Sequence, residues 1–102
     1  MKITAENFKR EAEDNRGLTV IDFYADWCGP CRMLSPIVEE MAERFPDVKF
    51  GKVNVDEEGE LAARFGVVSI PTLVFMKGGK ILETSVGYMG PDALEAKIRN
   101  HE

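Results

Sequence analysis

Cysteine is scarce. The 102-residue chain holds two, Cys28 and Cys31, and histidine and tryptophan occur once each, as His101 and Trp27. Two Cys and a single His beside the end of the sequence do not supply the four ligands of a structural zinc site, so no metal is expected. Nor do they supply the disulfide framework that staples small secreted domains. A bridge between Cys28 and Cys31 would remove only about 2 kcal/mol of chain entropy, too little to serve as a staple. Basic residues are also short. Thirteen Lys and Arg stand against 18 Asp and Glu, for a net charge of -5, which argues against a nucleic-acid partner. No block of like charge forms a tail, and no apolar run approaches the ~20 residues of a membrane span. The opening MKITAENFKREAED turns charged too early for a secretory leader, so the cytoplasm is the expected location. Repeats, low-complexity tracts and linkers are missing too, and one domain over residues 1–102 is expected.

What is present reads as an alternating α/β chain. Lys2 to Thr4 is a candidate first strand, and Ala5 to about Asp14 a helix with Thr4 as its N-cap. Leu18 to Ala25 is apolar at both parities, which marks a central strand covered on both faces. Pro30 suits the first turn of a helix. The following Leu34, Ile37, Val38, Met41, Ala42 and Phe45 recur at the spacing of one helical face. Pro36 lies inside that helix and deletes a backbone hydrogen bond, with a kink expected there. Val48 to Val55 is a strand, Glu57 to Phe65 a short helix stopped by Gly66, and Thr72 to Met76 another two-faced strand. Lys77-Gly78-Gly79-Lys80 turns the chain into Ile81 to Val86. Pro91 opens a last helix with Leu94 and Ile98 inward. The alternating first half predicts parallel pairing and the hairpin antiparallel pairing. The result is a mixed sheet of five strands with four helices on both faces. The methionines read as core filler, Met89 aside, and His101 as part of a solvated tail.

Three features carry chemistry. Cys28 and Cys31 flank a helix start, where unpaired amides and the helix dipole favour a thiolate. Dithiol–disulfide exchange fits that placement: Cys28 attacks a substrate disulfide and Cys31, one turn on, resolves the mixed disulfide. A short structural disulfide and a pair of buried apolar thiols stand as plainer readings. Asp22 lies in a strand apolar on both sides, where burial raises a carboxyl's pKa and lets it carry protons near neutral pH. Lys52 shares parity with Val48 and Phe50 and needs a partner, for which Asp22 is the obvious one; a purely structural ion pair is the plainer reading. Trp27 is either core or, beside a reactive cysteine, part of a flat apolar docking surface.

Trp27-Cys28-Gly29-Pro30-Cys31 resembles the active-site pentapeptide of the thioredoxin family. The likeness extends through Asp22-Phe23, Pro36, Lys52, Ile70-Pro71-Thr72 and Val86-Gly87, essentially the whole chain. It implies the thioredoxin fold, a three-layer α/β/α arrangement, and a protein disulfide reductase. It further implies that Cys28 is the exposed attacking thiol and Cys31 the buried resolving one. Asp22, near Lys52, would take the proton from Cys31 through a water, Pro71 would be cis, and Ile70 would pair with a substrate strand. The substrate surface would comprise Trp27, Gly29, Pro30, Ile70, Pro71, Gly87 and Tyr88, completed by Val55, Ser69 and Val86. Gly29-Pro30 between the cysteines matches the reducing members of the family. The implied partners are disulfide-containing proteins and a thioredoxin reductase, NADPH- or ferredoxin-linked. The implied protein is a monomer with no cofactor beyond the Cys28–Cys31 disulfide. Tyr24 departs from the tryptophan of many relatives, and Tyr88 and Met89 stand where smaller residues are frequent. A binding subunit with dispensable thiols and a redox sensor are the alternative functions.

Overall fold

Six of the seven residues of β1 (Leu18–Tyr24) are buried, and everything around this strand serves to cover it. The computed structural model describes residues 1–102. A short helical segment, Lys9–Glu13, precedes β1. After it come α1 (Gly29–Arg44), β2 (Lys49–Asn54), α2 (Gly59–Arg64), β3 (Thr72–Lys77), β4 (Lys80–Val86) and α3 (Pro91–His101). The strand order is β2-β1-β3-β4, with β1 and β2 parallel and the other two pairs antiparallel. This is the mixed sheet the alternation predicts. On one face Leu18, Val20, Leu73 and Phe75 pack with Leu34, Val38 and Met41 of α1 and Leu94 and Ile98 of α3. On the other, Ile21, Phe23, Val53, Val74 and Met76 pack with Ile3, Phe8, Ala12, Leu61 and Ala62. The layers are therefore α1 with α3, the sheet, and the N-terminal segment with α2.

The sheet has four strands, not five. Lys2 makes a single parallel bridge to Lys52 through Ile3 N–H to Lys52 O (2.8 Å) and Lys52 N–H to Met1 O (2.8 Å). The chain then turns away, because Thr4 N–H donates to Asn7 Oδ1 (2.8 Å) and Asn7 N–H to Thr4 Oγ1 (3.4 Å). That reciprocal pair closes a turn over residues 5–7, and the N-cap of the helical segment is Phe8, without a side-chain cap bond, rather than the expected Thr4. The expected helix over Ala5 to Asp14 is shorter and wider than predicted. It closes with Asp14 N–H on Lys9 O at 2.8 Å, an i to i−5 bond. Helix α1 continues through Pro36 as one element. Met41 and Met76 are core, but Met1 and Met33 are exposed, and Met89 packs against the α1–α3 core. His101 is not in a solvated tail. It ends α3, half-buried, with Nε2 2.8 Å from Glu83 Oε1 and its ring 5.6 Å from that of Phe75.

Two glycine positions are dictated by geometry. Gly78 and Gly79 have φ of 58° and 81°, the left-handed pair that a tight hairpin between β3 and β4 requires. Gly51 lies under Ile3. A Cβ there would fall 2.7 Å from Ile3 Cγ1 and closer still to Cδ1, so the fully buried Ile3 would have to shift against the core around it. Gly51→Ala should therefore destabilise the fold by about 1–3 kcal/mol through overpacking. Guanidinium chloride unfolding reads this directly; an unchanged midpoint would contradict the close approach.

Candidate active site

The sulfurs sit where β1 hands over to α1. Cys28 N–H bonds Ala25 O at 3.2 Å, which closes a turn, and extended backbone at Cys28 (φ −86°, ψ 113°) makes it the N-cap of α1. Its Sγ accepts the Cys31 N–H at 3.2 Å, so a sulfur satisfies an amide that the first helical turn leaves unpaired. Cys28 and Cys31 are joined as a disulfide, with Cα atoms 5.2 Å apart. The expected contrast between an exposed Cys28 and a buried Cys31 is slight in this disulfide form, at 5% and 3% exposure. Both residues pack with Ala25, Tyr24, Val55 and Ile70, which cover them from the sides.

The Ile70 carbonyl lies 3.9 Å from Cys28 Sγ, and the Ile70–Pro71 peptide bond is cis. Pro71 O accepts the Gly87 N–H at 2.8 Å, bringing the end of β4 to the same place. Trp27, 68% exposed, donates from Nε1 to Asp56 Oδ2 at 2.9 Å. Asp56 is held in turn by its own N–H on Asn54 Oδ1 (2.9 Å). Trp27, Val55, Val67, Val68, Ser69 and Ile70 line a shallow groove of about 160 Å³ beside the disulfide. Gly29 and Gly87 are half-buried, Pro30 and Tyr88 are exposed, and Pro71 is buried. Sequence reasoning missed Asp56 as the indole's partner, and Val67 and Val68 as groove walls. The only trace of the latter in the sequence is an apolar pair stranded between Gly66 and the Ile-Pro segment.

Asp22 is 1% exposed, and neither carboxylate oxygen has a hydrogen-bond partner. Burial pushes its carboxyl from 3.8 up to about 6, and the positive charge of Lys52 pulls it back only in part. Lys52 is Asp22's neighbour in the β1–β2 register, yet the expected ion pair does not form. The ammonium turns instead to Ser35 Oγ, 3.1 Å away, and sits 4.5 Å from the centroid of the Tyr24 ring. A hydroxyl and an aromatic face on the way to solvent solvate it at less cost than a dry carboxylate pair. Lys52, Ser35, Tyr24, Ala25, Asp26, Arg32 and Cys31 line a cleft of about 150 Å³.

No three His, Cys, Asp or Glu side chains converge on a common point, and no helix is long and apolar enough to cross a membrane. The largest cavity, about 470 Å³ and lined in part by Arg44, Phe45 and Arg99, does not include the disulfide.

A disulfide at a helix N-terminus beside an apolar groove, in a fold that also buries an unpaired carboxyl, is the site of a thiol–disulfide oxidoreductase. The thioredoxin family model matches residues 1–100. The chain is 42% identical to thioredoxin of Bacillus subtilis, covering 99% of this chain and 96% of that protein. It is 43% identical to thioredoxin of Listeria monocytogenes, covering 98% and 96%. The fold superposes on Fasciola hepatica thioredoxin with a TM-score of 0.89 at 40% identity, over 97% of this chain and 95% of that one. The chain belongs to the thioredoxin family. Its activity is protein disulfide reduction by dithiol–disulfide exchange, with disulfide-containing proteins as substrates and reductases as partners. The binding-subunit and redox-sensor alternatives are not favoured.

The Asp22 carboxyl binds its proton more tightly in the folded chain than in the unfolded one. Stability therefore falls as pH rises from about 4 to about 6, and above that the ionised group costs on the order of 3 kcal/mol. Asp22→Asn should stabilise the disulfide form by about 2–3 kcal/mol at pH 7 and by little below pH 4. Unfolding curves at the two pH values test this, and a gain independent of pH would assign it to packing instead.

Proposed function

We propose that Cys28 is the attacking thiolate, Cys31 the resolving thiol and Asp22 the base that receives the Cys31 proton. In the reduced protein the Cys28 thiolate attacks one sulfur of a substrate disulfide. An S–S bond forms to Cys28 as the substrate S–S bond breaks, releasing one substrate thiolate. Cys31, deprotonated by Asp22 through an intervening water, then attacks Cys28 Sγ. The Cys28–Cys31 bond forms, the mixed disulfide breaks, and a second substrate thiolate leaves. Two electrons have passed to the substrate, and water and Asp22 exchange the protons. The placement of Cys28 Sγ on the Cys31 N–H at the N-cap carries this reading, since the same positive potential favours a sulfur anion there.

The Ile70 carbonyl beside Cys28 Sγ and the exposed Trp27 support docking of a substrate strand. Gly29, Pro30, Pro71, Gly87 and Tyr88 complete its seat, and Lys52 tunes the charge beneath it. The protein works as a cytoplasmic monomer without a bound cofactor. Its electrons come from a thioredoxin reductase, NADPH- or ferredoxin-linked.

The test couples the protein to NADPH, a thioredoxin reductase and a disulfide-bonded protein substrate, with a ferredoxin-linked reductase as the second arm. Cys28→Ser should abolish turnover, and Cys31→Ser should stall as a mixed disulfide visible by mass spectrometry. Free turnover by Cys28→Ser would refute the assignment. In single-turnover measurements, release of the second substrate thiol should rise with pH through about 6 in the unmutated protein. With Asp22→Asn it should be slower by about a hundredfold, the lower end of what a positioned base contributes, and should lose that inflection. A profile unchanged by Asp22→Asn would remove the base role.

A further inference from the structure

The cleft beside Cys31 contains a side chain that the reaction has not yet used. Ser35 lies on α1, one turn beyond Cys31, and is half-buried. Its hydroxyl accepts the Lys52 ammonium at 3.1 Å and lies 3.4 Å from Glu39 Oε1, to which it donates. The Tyr24 ring is the ammonium's other neighbour, its centroid 4.5 Å away. Lys52 is thus held by a hydroxyl from α1 and a ring from β1, although it grows from β2. With Ser35 and Cys31 it lines the same cleft of about 150 Å³.

We propose that Ser35 is a positioning residue for the resolving step: it pins the Lys52 ammonium in the cleft beside Cys31, so that Cys31 becomes a thiolate facing a fixed positive charge. The inference rests on the reading of Cys31 as the resolving thiol. An ammonium on a flexible stem gains hydration by swinging outward. Held in the cleft, it favours negative charge on whatever faces it.

The groups around it come from every neighbouring element. Asp22 and Tyr24 belong to β1, Asp26 to the following loop, and Cys31, Arg32 and Glu39 to α1. Lys2 bridges Lys52 along the backbone and engages Glu57 with its own side chain at 3.0 Å. Arg32 spends Nη1 on the Asp26 carbonyl at 2.7 Å. Of the cations near the cleft, Lys52 is therefore the one tied to a side chain of the α1 turn that follows Cys31. The charge at this point depends on a hydroxyl at position 35.

The test is the pH profile of second-thiol release in single turnover, measured beside the first attack by Cys28. That midpoint follows Asp22 as the base for Cys31, and the fixed Lys52 charge holds the Asp22 carboxyl down as well as favouring the Cys31 anion, so Ser35→Ala should move the midpoint of second release upward by about half a unit to one unit, leaving the rate and profile of first attack unchanged. Ser35→Thr, which keeps the hydroxyl, should restore the original midpoint. Lys52→Met should shift the midpoint at least as far as Ser35→Ala, and the double variant no further than Lys52→Met alone. An unmoved midpoint in Ser35→Ala, a downward shift, or an additional shift in the double variant would overturn the proposal. Failure of the underlying reading is distinguishable, because it shows as second release persisting in Cys31→Ser.

Discussion

Covering both faces of β1 is the constraint from which the site follows. A strand buried on both sides is stable only when helices pack above and below it, and a parallel neighbour forces the connection to cross over. The chain leaves the sheet at Tyr24 and begins α1 at Gly29, so the covering helix starts directly beyond the end of β1. Its unpaired N-terminal amides and positive dipole end are thereby delivered to that edge of the sheet. The antiparallel partner completes the arrangement. Phe23 pairs with Thr72, so the segment just before β3, Ile70 and Pro71, arrives at the same edge. Nothing about the sulfurs is needed to explain this convergence, and the cysteines occupy a place that packing had already polarised. Ligand sites at the carboxyl ends of strands in open α/β sheets have the same origin.

Against that packing, Asp22 is a deliberate exception. The chain pairs its other semi-buried acids readily. Glu83 is held by Lys97 and His101, Glu95 by Arg44 and Arg99, and in both cases these partners lower the carboxyl. Asp22 has one cation, Lys52, within electrostatic reach and no partner in contact. An aspartate paired as Glu95 is would stay ionised through the neutral range and accept no proton there. An unpaired one, raised to about 6, is poised between its two states near working pH. The stability lost by burying it is the counterpart of that poise.

The elements with strong periodicity were legible. The two-faced apolar runs located β1 and β3, the glycine pair located the hairpin, and the Leu34–Val38–Met41 spacing located α1 and its buried face. Lys2 to Thr4 failed as a strand because Thr4 and Asn7 bond each other's backbone, a competition that patterning does not register. Trp27 lies on the apolar surface expected of it, but the burial of His101 and the hydrogen-bond partner of Trp27 were not legible, for a related reason. Their partners, Glu83 and Asp56, lie 18 and 29 residues away, and polar contacts at that range leave no local mark. The parity argument did put Asp22 and Lys52 on one face, correctly, but parity fixes a direction and not a contact. A flexible lysine stem let the ammonium choose Ser35 and Tyr24 over its register partner.

That choice bears on how the fold keeps a proton-accepting carboxyl at all. An ammonium in contact with Asp22 would hold the carboxylate ionised, while its complete absence would let burial push the carboxyl higher still. An intermediate position is unstable for a mobile cation, which either collapses onto the acid or withdraws to water, unless something fixes it. Here the fixing groups come from outside the strand that carries Lys52: a hydroxyl on α1 and an aromatic ring on β1. Both are anchored by the same helix-on-sheet packing that aims α1 at the end of the sheet. The electrostatics around Asp22 and Lys52 and the location of the disulfide thus depend on one contact, the seating of α1 on β1, and a change that tilts the helix would disturb both together.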